Sequence, residues 1–561
     1  MFWWVHLKDS MERSLIMKMS KVFQIAGIAA ISLLVLTACG NKSDQSSGSS
    51  TGNVTVHTSG FPIVDKQITL SLMAPSMGSV NWNNMQVLKD YQKMTNIKLK
   101  YNTPPQADFS TKLNLAFASQ DLPDIIFAAG SALTPANEVA YGRDGQLLPL
   151  DKLIPKYAPN FNKLMEKDPN IRKSITTPDG HIYSLPMLSS GPTSIWYIGP
   201  MWYNGEWLKN LGVKTLPKTA DELYALLKRF KTEDPNKNGK ADEIPFSDTK
   251  LSASRYFLMA IFGMLSNDVQ NNGDKVVYNP GTSNYKAYLT FMHKLFAEGL
   301  MDKDTFSQSD DQKKAKGQSD RLGLFSDYFS YFTTGRTQKQ AMNDPMFQPL
   351  TSSVSPKAVI PGSPRINRGD FSITKNNPNP AASLRWVDYF YSGTGSDFLN
   401  AGKEGGFWKY AKNSKGEKVR VLNDGITPDN SEDKRSKISP DYGLTVPKYA
   451  GDDKMGPILA TPDSPKVDAF TAFVNKETAE KYTPYARVPY PLVYLTKDEQ
   501  DSIASNATDL STYVEQMEAK FITGVEPLSN WDKYLKTLDS MNVKQYVKVY
   551  QAAYDRWKKA E

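Results

Sequence analysis

Between residues 67 and 127 the hydrophobic period of the chain switches repeatedly between two and about 3.6. Gln67–Met73 (QITLSLM) alternates and is rich in β-formers, which predicts a strand. Asn84–Thr95 then places Met85, Leu88, Tyr91 and Met94 at helical spacing, and Ile97–Tyr101 (IKLKY) returns to alternation. Asp108–Ser119 reads as a second amphipathic helix, and Asp124–Phe127, after Leu122-Pro123, as a short buried strand. Two successive strand–helix–strand units predict an α/β unit with a partly parallel sheet, because parallel strands need a long crossover that a helix supplies.

Further along, Pro178-Asp179-Gly180 signals a turn that releases a strand at Ile182–Leu185. Thr219, with Glu222 three residues later, opens a helix whose apolar stripe is Leu223, Leu226, Leu227 and Phe230. Asn284–Glu298 is a second strong helix, ending at Gly299; Ala381–Tyr391, Trp531–Met541 and Val547–Lys559 are others. No repeat of fixed period runs through the chain.

Composition is that of a globular protein, with 40% hydrophobic and 22% charged residues. The length exceeds what one hydrophobic core ordinarily organises, so two lobes are expected. The net charge of +8 is small for 561 residues and its charges are interleaved, which argues against a nucleic-acid partner.

The N-terminal region changes the picture most. Val22–Leu36 is apolar and uncharged, is preceded by Lys18 and Lys21, and is short for a membrane span. It leads into Leu36-Thr37-Ala38-Cys39, where Cys39 is the single cysteine of the chain. A signal segment ending in Leu-small-small-Cys resembles the lipobox of bacterial lipoproteins, which implies cleavage before Cys39 and lipidation of it. Residues 1–38 are then signal peptide, with the true start at Met17 or Met19, because Met1–Leu15 fits no signal logic. Residues 39–58 would be the lipidated cysteine and a flexible, serine-rich tether. The expected location is the outer face of the cell membrane.

Two constellations carry candidate chemistry. Asp234, Asn236, Asn238 and Asp242 occupy positions 1, 3, 5 and 9 of a loop with Gly239 at position 6, a pattern that supplies oxygens to a hard divalent cation. Lys240 would contribute its carbonyl. Position 12 is Pro245 rather than glutamate, and Glu243 could serve in a tighter loop; the alternative is a solvated Asx/Gly turn without metal. Aromatic residues crowd Gly191–Trp207, and Trp82 and Trp408 stand in loop-like surroundings. Rings beyond strand ends are what a sugar-binding cleft needs, so Trp82, Trp196, Tyr197, Trp202 and Trp408 are candidate ligand contacts, with the ordinary core as the alternative. Trp207, spaced with Leu208 and Leu211, reads as core. No Gly-x-Ser-x-Gly stands at a strand-to-helix elbow, its single match being Gly48–Gly52 in the serine-rich tether, and no zinc spacing occurs. A carboxylate pair for glycoside hydrolysis stays open, since sequence does not reveal carboxylate separations.

Several stretches together resemble the family 1 extracellular solute-binding proteins of ABC importers, and LipO-like lipoproteins in particular. They are Asp121–Ile126, Pro178–Pro186, Trp207–Gly212, Asp234–Pro245, Phe296–Leu300, Arg385–Phe390 and Phe521–Gly524 followed by Trp531-Asp532. The resemblance implies a two-lobed, type II periplasmic-binding-protein-like α/β clamshell with hinge crossovers. Lobe 1 is expected at 59–186 plus 353–428 and lobe 2 at 187–352 plus 429–561. It also implies a monomer, not an enzyme, that captures an oligosaccharide between the lobes and delivers it to a membrane permease. By similarity to alginate-oligosaccharide binders, calcium would be held by Asp234, Asn236, Asn238, Lys240, Asp242 and Glu243. A secreted polysaccharide-degrading enzyme or a peptide binder are the alternative functions.

Overall fold

The structure, a computed structural model, describes residues 54–77, 80–451 and 455–559. Cys39, the signal segment and most of the expected tether lie outside them. The tether also ends earlier than expected. Val56 already pairs with Val64, and His57 N–H donates to the Ile63 carbonyl (2.8 Å).

From there the chain runs β1 (Ile68–Met73), α1 (Gln86–Thr95), β2 (Ile97–Asn102), α2 (Gln106–Ser119), β3 (Ile125–Phe127), α3 (Pro135–Arg143) and β4 (Ser184–Ser189). It crosses to β5 (Met201–Tyr203), α4 (Ala220–Thr232), β6 (Ile244–Ser247), α5 (Ser254–Ala260), α6 (Ser283–Ala297) and β7 (Leu322–Ser326). It returns as β8 (Ile366–Ile373), α7 (Pro380–Asp388), α8 (Gly393–Ala401), α9 (Pro428–Ile438) and β9 (Tyr449–Ala450). The last stretch holds α10 (Lys497–Thr523) and α11 (Val543–Lys559).

Burial explains the elements. In β2, Ile97 and Leu99 point inward while Lys98 and Lys100 are exposed, so the strand has one wet face. All three residues of β3 are buried, as befits a central strand covered on both sides. Thr219 caps α4 by accepting from the Glu222 N–H, which satisfies one of the otherwise orphaned N-terminal donors.

Two sheets seed two cores. The larger has the order β9-β4-β8-β3-β1-β2, with β1 parallel to β2 and β3, and β8 antiparallel to β3 and β4. The smaller has the order β5-β7-β6, with β6 and β7 parallel. One core runs from Ile63 to Leu188 and from Ile366 to Val446; the other runs from Trp196 to Ile360 and from Phe470 to Tyr554. Three stretches connect them. The residues after β4 run beside those before β8, through a Trp196–Gly362 bridge and the Ser363 N–H to Ile195 carbonyl bond (2.9 Å). Beside them β9 pairs in parallel with β4 before the chain leaves for Phe470. Gly369 (φ +80°) sits where the β8–β4 register shifts; a Cβ there would stand 2.7 Å from the Gly130 carbonyl oxygen.

The structure moves two expected boundaries. Residues 429–450, expected in lobe 2, pack on the first core, because β9 hydrogen-bonds β4 and Val446 is buried there. Ile360, expected in lobe 1, belongs to the second core. Smaller differences follow local chemistry: Trp82–Asn84 forms a separate 3-10 turn before α1, and α11 starts at Val543 rather than Val547.

Candidate ligand cleft and calcium loop

In open α/β sheets ligands bind beyond the carboxyl ends of parallel strands. Beyond β6 and β7, the second core presents two loops. Asp248 fixes the first: its carboxylate accepts from the N–H groups of Thr249 (2.7 Å) and Ser254 (3.0 Å) and from the hydroxyls of Ser254 (2.6 Å) and Ser326 (2.5 Å). Lys250 (φ +53°) and the fully buried Leu251 (φ +54°) stand consecutively in left-handed conformation within it, an arrangement held by these bonds against its strain. The second loop begins at Asp327, which accepts from the Tyr328 N–H (2.7 Å) and the Thr333 hydroxyl (2.8 Å).

These loops assemble rings around the crossover. Tyr328, 50% exposed, lies edge-on to Trp196 with centroids 5.3 Å apart. Tyr197, 41% exposed, is edge-on to Tyr256 at 5.3 Å. The Trp196 indole N–H donates to the Thr478 hydroxyl (3.2 Å), which fixes its plane. Of the rings expected to meet ligand, Tyr197 stands here, with Trp196 behind it at 7% exposure in the second core; Tyr256 and Tyr328 join them, which the aromatic crowding of Gly191–Trp207 did not reveal.

Three other expected contacts are corrected. Trp202 is fully buried in the centre of β5 and donates to the Asp327 carbonyl (3.0 Å), because its strand lies inside the second core. Trp82 is 2% exposed; the turn at Asn81 folds its ring onto Tyr101 and Phe127. Trp408 is 3% exposed, donates to the Gly402 carbonyl (3.1 Å) and carries the Arg420 guanidinium over its face at 5.1 Å. Trp207 is core, as its spacing predicts, with Phe230 at 5.4 Å. Two of the histidines hold structural partners: His181 Nδ1 meets Asp151 (3.0 Å) and His293 Nδ1 the Ile522 carbonyl (3.1 Å).

On the side of the crossovers a polar pin joins the two cores. Glu138 of α3 is fully buried and accepts from the hydroxyls of Ser184 (2.6 Å) and Tyr494 (2.7 Å). Burial pushes its carboxyl up, and these bonds and the Arg368 charge oppose that. Arg368 lies over the Tyr494 ring at 4.3 Å and donates to the Val493 carbonyl (3.1 Å).

The Asp234–Glu243 loop leads directly into β6. Asp234 accepts from the Asn238 and Gly239 N–H groups (both 3.2 Å), and Asn238 Oδ1 accepts from Lys240 N–H (2.7 Å). Asp242 accepts from the Asn238 amide (2.9 Å), which holds its carboxyl below the usual range, and its carbonyl takes Arg321 Nε (3.0 Å). Among the described residues no group of three or more His, Cys, Asp or Glu is gathered as a metal site. The loop nevertheless fits a hard cation. Glu243 Oε1 is buried without a hydrogen-bond partner, and its carboxyl is pushed up by burial and by the Asp234 and Asp242 charges. A buried, unpartnered oxygen facing like charges is what a divalent ion would neutralise, and the remaining donors are amide and carbonyl oxygens of the kind calcium takes.

A fold of two α/β cores joined by three strand-like crossovers, with rings where they meet, defines a solute-binding clamshell. The chain belongs to the bacterial extracellular solute-binding proteins, whose family model matches residues 84–394. It is 30% identical to the fructooligosaccharide ABC transporter substrate-binding protein FusA of Streptococcus pneumoniae, over 96% of this chain and 99% of the relative. It is 27% identical to lipoprotein LipO of Bacillus subtilis over 42% of this chain and 45% of that protein. The FusA structure in complex with kestose superposes with a TM-score of 0.68 at 28% identity, covering 88% of this chain and 99% of FusA. A FusA EF-hand mutant in complex with fructo-nystose gives 0.67 at 27% identity, covering 88% of this chain and 99% of that one.

Proposed function

We propose that this protein is the substrate-binding component of an ABC importer, that it captures an oligosaccharide between its two lobes, and that it releases the sugar to a membrane permease. The observation that carries the reading is the full-length likeness to FusA, together with the ring cluster at the crossover. Tyr328, Tyr197 and Tyr256 would offer apolar faces to pyranose or furanose rings, with the buried Trp196 backing Tyr328. A sugar that touches both lobes only when they are closed shifts the population toward the closed form. The lobes would divide as the cores do, at about residues 190, 362 and 460, with the Glu138–Tyr494 pin as pivot. Fructo-oligosaccharides are the first ligands to try. The protein would act as a monomer and without catalysis, since what it supplies is a closing cleft.

Asp234, Asn236, Asn238, Asp242, Glu243 and the Lys240 carbonyl would hold calcium. The ion would neutralise the converging carboxylates and fix the chain where β6 begins; it would do no chemistry. Cys39 would carry the lipid that retains the protein on the extracellular face of the membrane, since two or more acyl chains anchor stably where one does not.

The test is calorimetric titration of the purified protein with kestose, longer fructo-oligosaccharides and uronate oligomers, with the sugars recovered afterwards. Saturable 1:1 binding with intact recovered sugar is expected. Shortened sugar would replace the reading with that of a hydrolase, and no binding to any oligosaccharide would remove it.

A further inference from the structure

The small sheet formed by Trp408–Lys412, Lys418–Leu422 and Ile458–Leu459, together with α9, lies beyond the stretch that matches the family model. It has its own apolar cluster around Phe407 and Trp408. Where it meets α1, a pocket of ≈ 410 Å³ opens. Its lining comes from α1, from Ala401–Phe407, from Ile426 and from α9, and no residue of the second core contributes. A site between the lobes would touch both, so this one is separate from the cleft.

The floor is apolar: Val87, Ala401, Phe407, Ile426 and Ile438. Lys403, Lys434 and Lys437 also line it. Lys437 is paired with Asp433 of its own helix (2.7 Å), but the Lys403 ammonium has no hydrogen-bond or ion-pair partner among the described residues. The loop Gly402–Gly406 turns at Gly402, whose φ +71° and ψ −160° only glycine adopts readily. The N–H groups of Lys403 and Glu404 donate to no group among the described residues. Successive amides without a protein acceptor, in a glycine-rich turn beside lysines, are donors that an anion can take. Two carboxylates temper this. Asp90 faces the pocket from α1, and Glu404 is engaged by the Tyr410 N–H (3.4 Å). With Lys437 held by Asp433, these two acids stand against Lys403 and Lys434, a balance that excludes a polyanion and leaves room for a compact ligand with one anionic group.

We infer that this pocket binds a small organic anion, an apolar ring or chain bearing a single carboxylate or phosphate, at a site independent of the oligosaccharide cleft. The anionic group would lie against Lys403, Lys434 and the Lys403–Glu404 amides, and the apolar body against Phe407 and Ile438. The inference stands whether or not the cleft takes the sugar proposed above.

The experiment is saturation-transfer NMR and calorimetry on the purified full-length protein with three probes: phenyl phosphate, benzoate and the neutral benzyl alcohol. Saturable 1:1 binding is expected for at least one anion, with benzyl alcohol at least tenfold weaker. The doubly charge-reversed variant Lys403→Glu, Lys434→Glu should lose the anion by tenfold or more while keeping its melting temperature and its oligosaccharide titration. The two anions distinguish a carboxylate site from a phosphate site. Anion binding that persists in the variant, equal binding of the neutral probe, competition by the oligosaccharide, or no saturable binding at all would each overturn the inference.

Discussion

The Asp234–Glu243 loop permits a prediction whose sign depends on the solution. Glu243→Gln keeps the shape of the side chain and removes one of the negative charges that converge with Asp234 and Asp242. In chelator Arg321 offsets the charge of Asp242 (3.5 Å), and the substitution relieves the repulsion that remains between Glu243 and its two acidic neighbours. The gain is that of a partly exposed like-charge contact, about 0.5 kcal/mol. With calcium present the balance inverts. An ion at a hundred times its dissociation constant stabilises the folded state by about 2.7 kcal/mol, and a tenfold weaker site forfeits about 1.4 kcal/mol of that. For a lobe of this size each kcal/mol moves the melting midpoint by about 2–4 °C. The relieved repulsion persists in calcium, so the net loss there is about 0.9 kcal/mol, and scanning calorimetry of parent and variant should show the variant melting about 1–2 °C above the parent in chelator and about 2–4 °C below it in calcium. A shift of the same sign in both solutions would mean that Glu243 is an ordinary structural carboxylate and that the loop is a solvated turn.

Other consequences are as open to measurement. Tyr328→Ala removes a half-exposed ring; a face of about 60 Å² covered by sugar at about 25 cal/mol per Å² amounts to about 1.5 kcal/mol, so calorimetry should show oligosaccharide affinity falling about tenfold. Asp388 accepts from Phe161 N–H (2.9 Å) and the Asn160 amide (2.8 Å), yet burial pushes its carboxyl from 3.8 up to about 6. The folded state then keeps a proton that the unfolded chain releases, and stability from this group is full below pH 4 and lost as pH rises through 6. Denaturant unfolding of Asp388→Asn should show a shallower fall in stability over that window than the parent, and an unchanged slope would refute the assignment. Cys39→Ser should move the protein from the membrane fraction to the medium in cell fractionation.

How far the sequence could be read depended on whether a signal was local. The alternation of Ile97–Tyr101 and the stripe of α4 reported burial directly, because one face of each element meets the core. The Asx pattern of Asp234–Asp242 was equally local, and Glu243 gains its interest only from an unpartnered oxygen that no pattern encodes. The tryptophans misled for a definite reason. A Trp beside Asn or Gly reads as loop, but Trp82 is folded back onto Phe127 and Trp408 onto Arg420 by contacts distant in sequence. Tyr328 was invisible as a site residue because its neighbour Trp196 stands far from it along the chain. The boundary near residue 429 was misplaced because β9 is two residues long, too short to have a period, and its pairing with β4 alone fixes it in the first core.

The docking of the first described residues bears on delivery. Ile63 N–H donates to the Thr95 carbonyl (3.0 Å), the Asn96 amide to the Val64 carbonyl (3.3 Å), and Arg385 to the Gly60 carbonyl (3.2 Å). Thr95 and Asn96 precede β2, so the leader joins the first lobe at the amino-terminal edge of its parallel strands, opposite the edge that faces the ring cluster. With a lipid on Cys39, as proposed above, a protein leashed in this way would hang with its mouth turned from its anchor. Handing a sugar to a permease would then require the protein to turn over on the residues between Cys39 and Val54, a length of chain that spans at most about 50 Å when fully extended. Leash length would then bear on hand-over to the permease independently of affinity for the sugar.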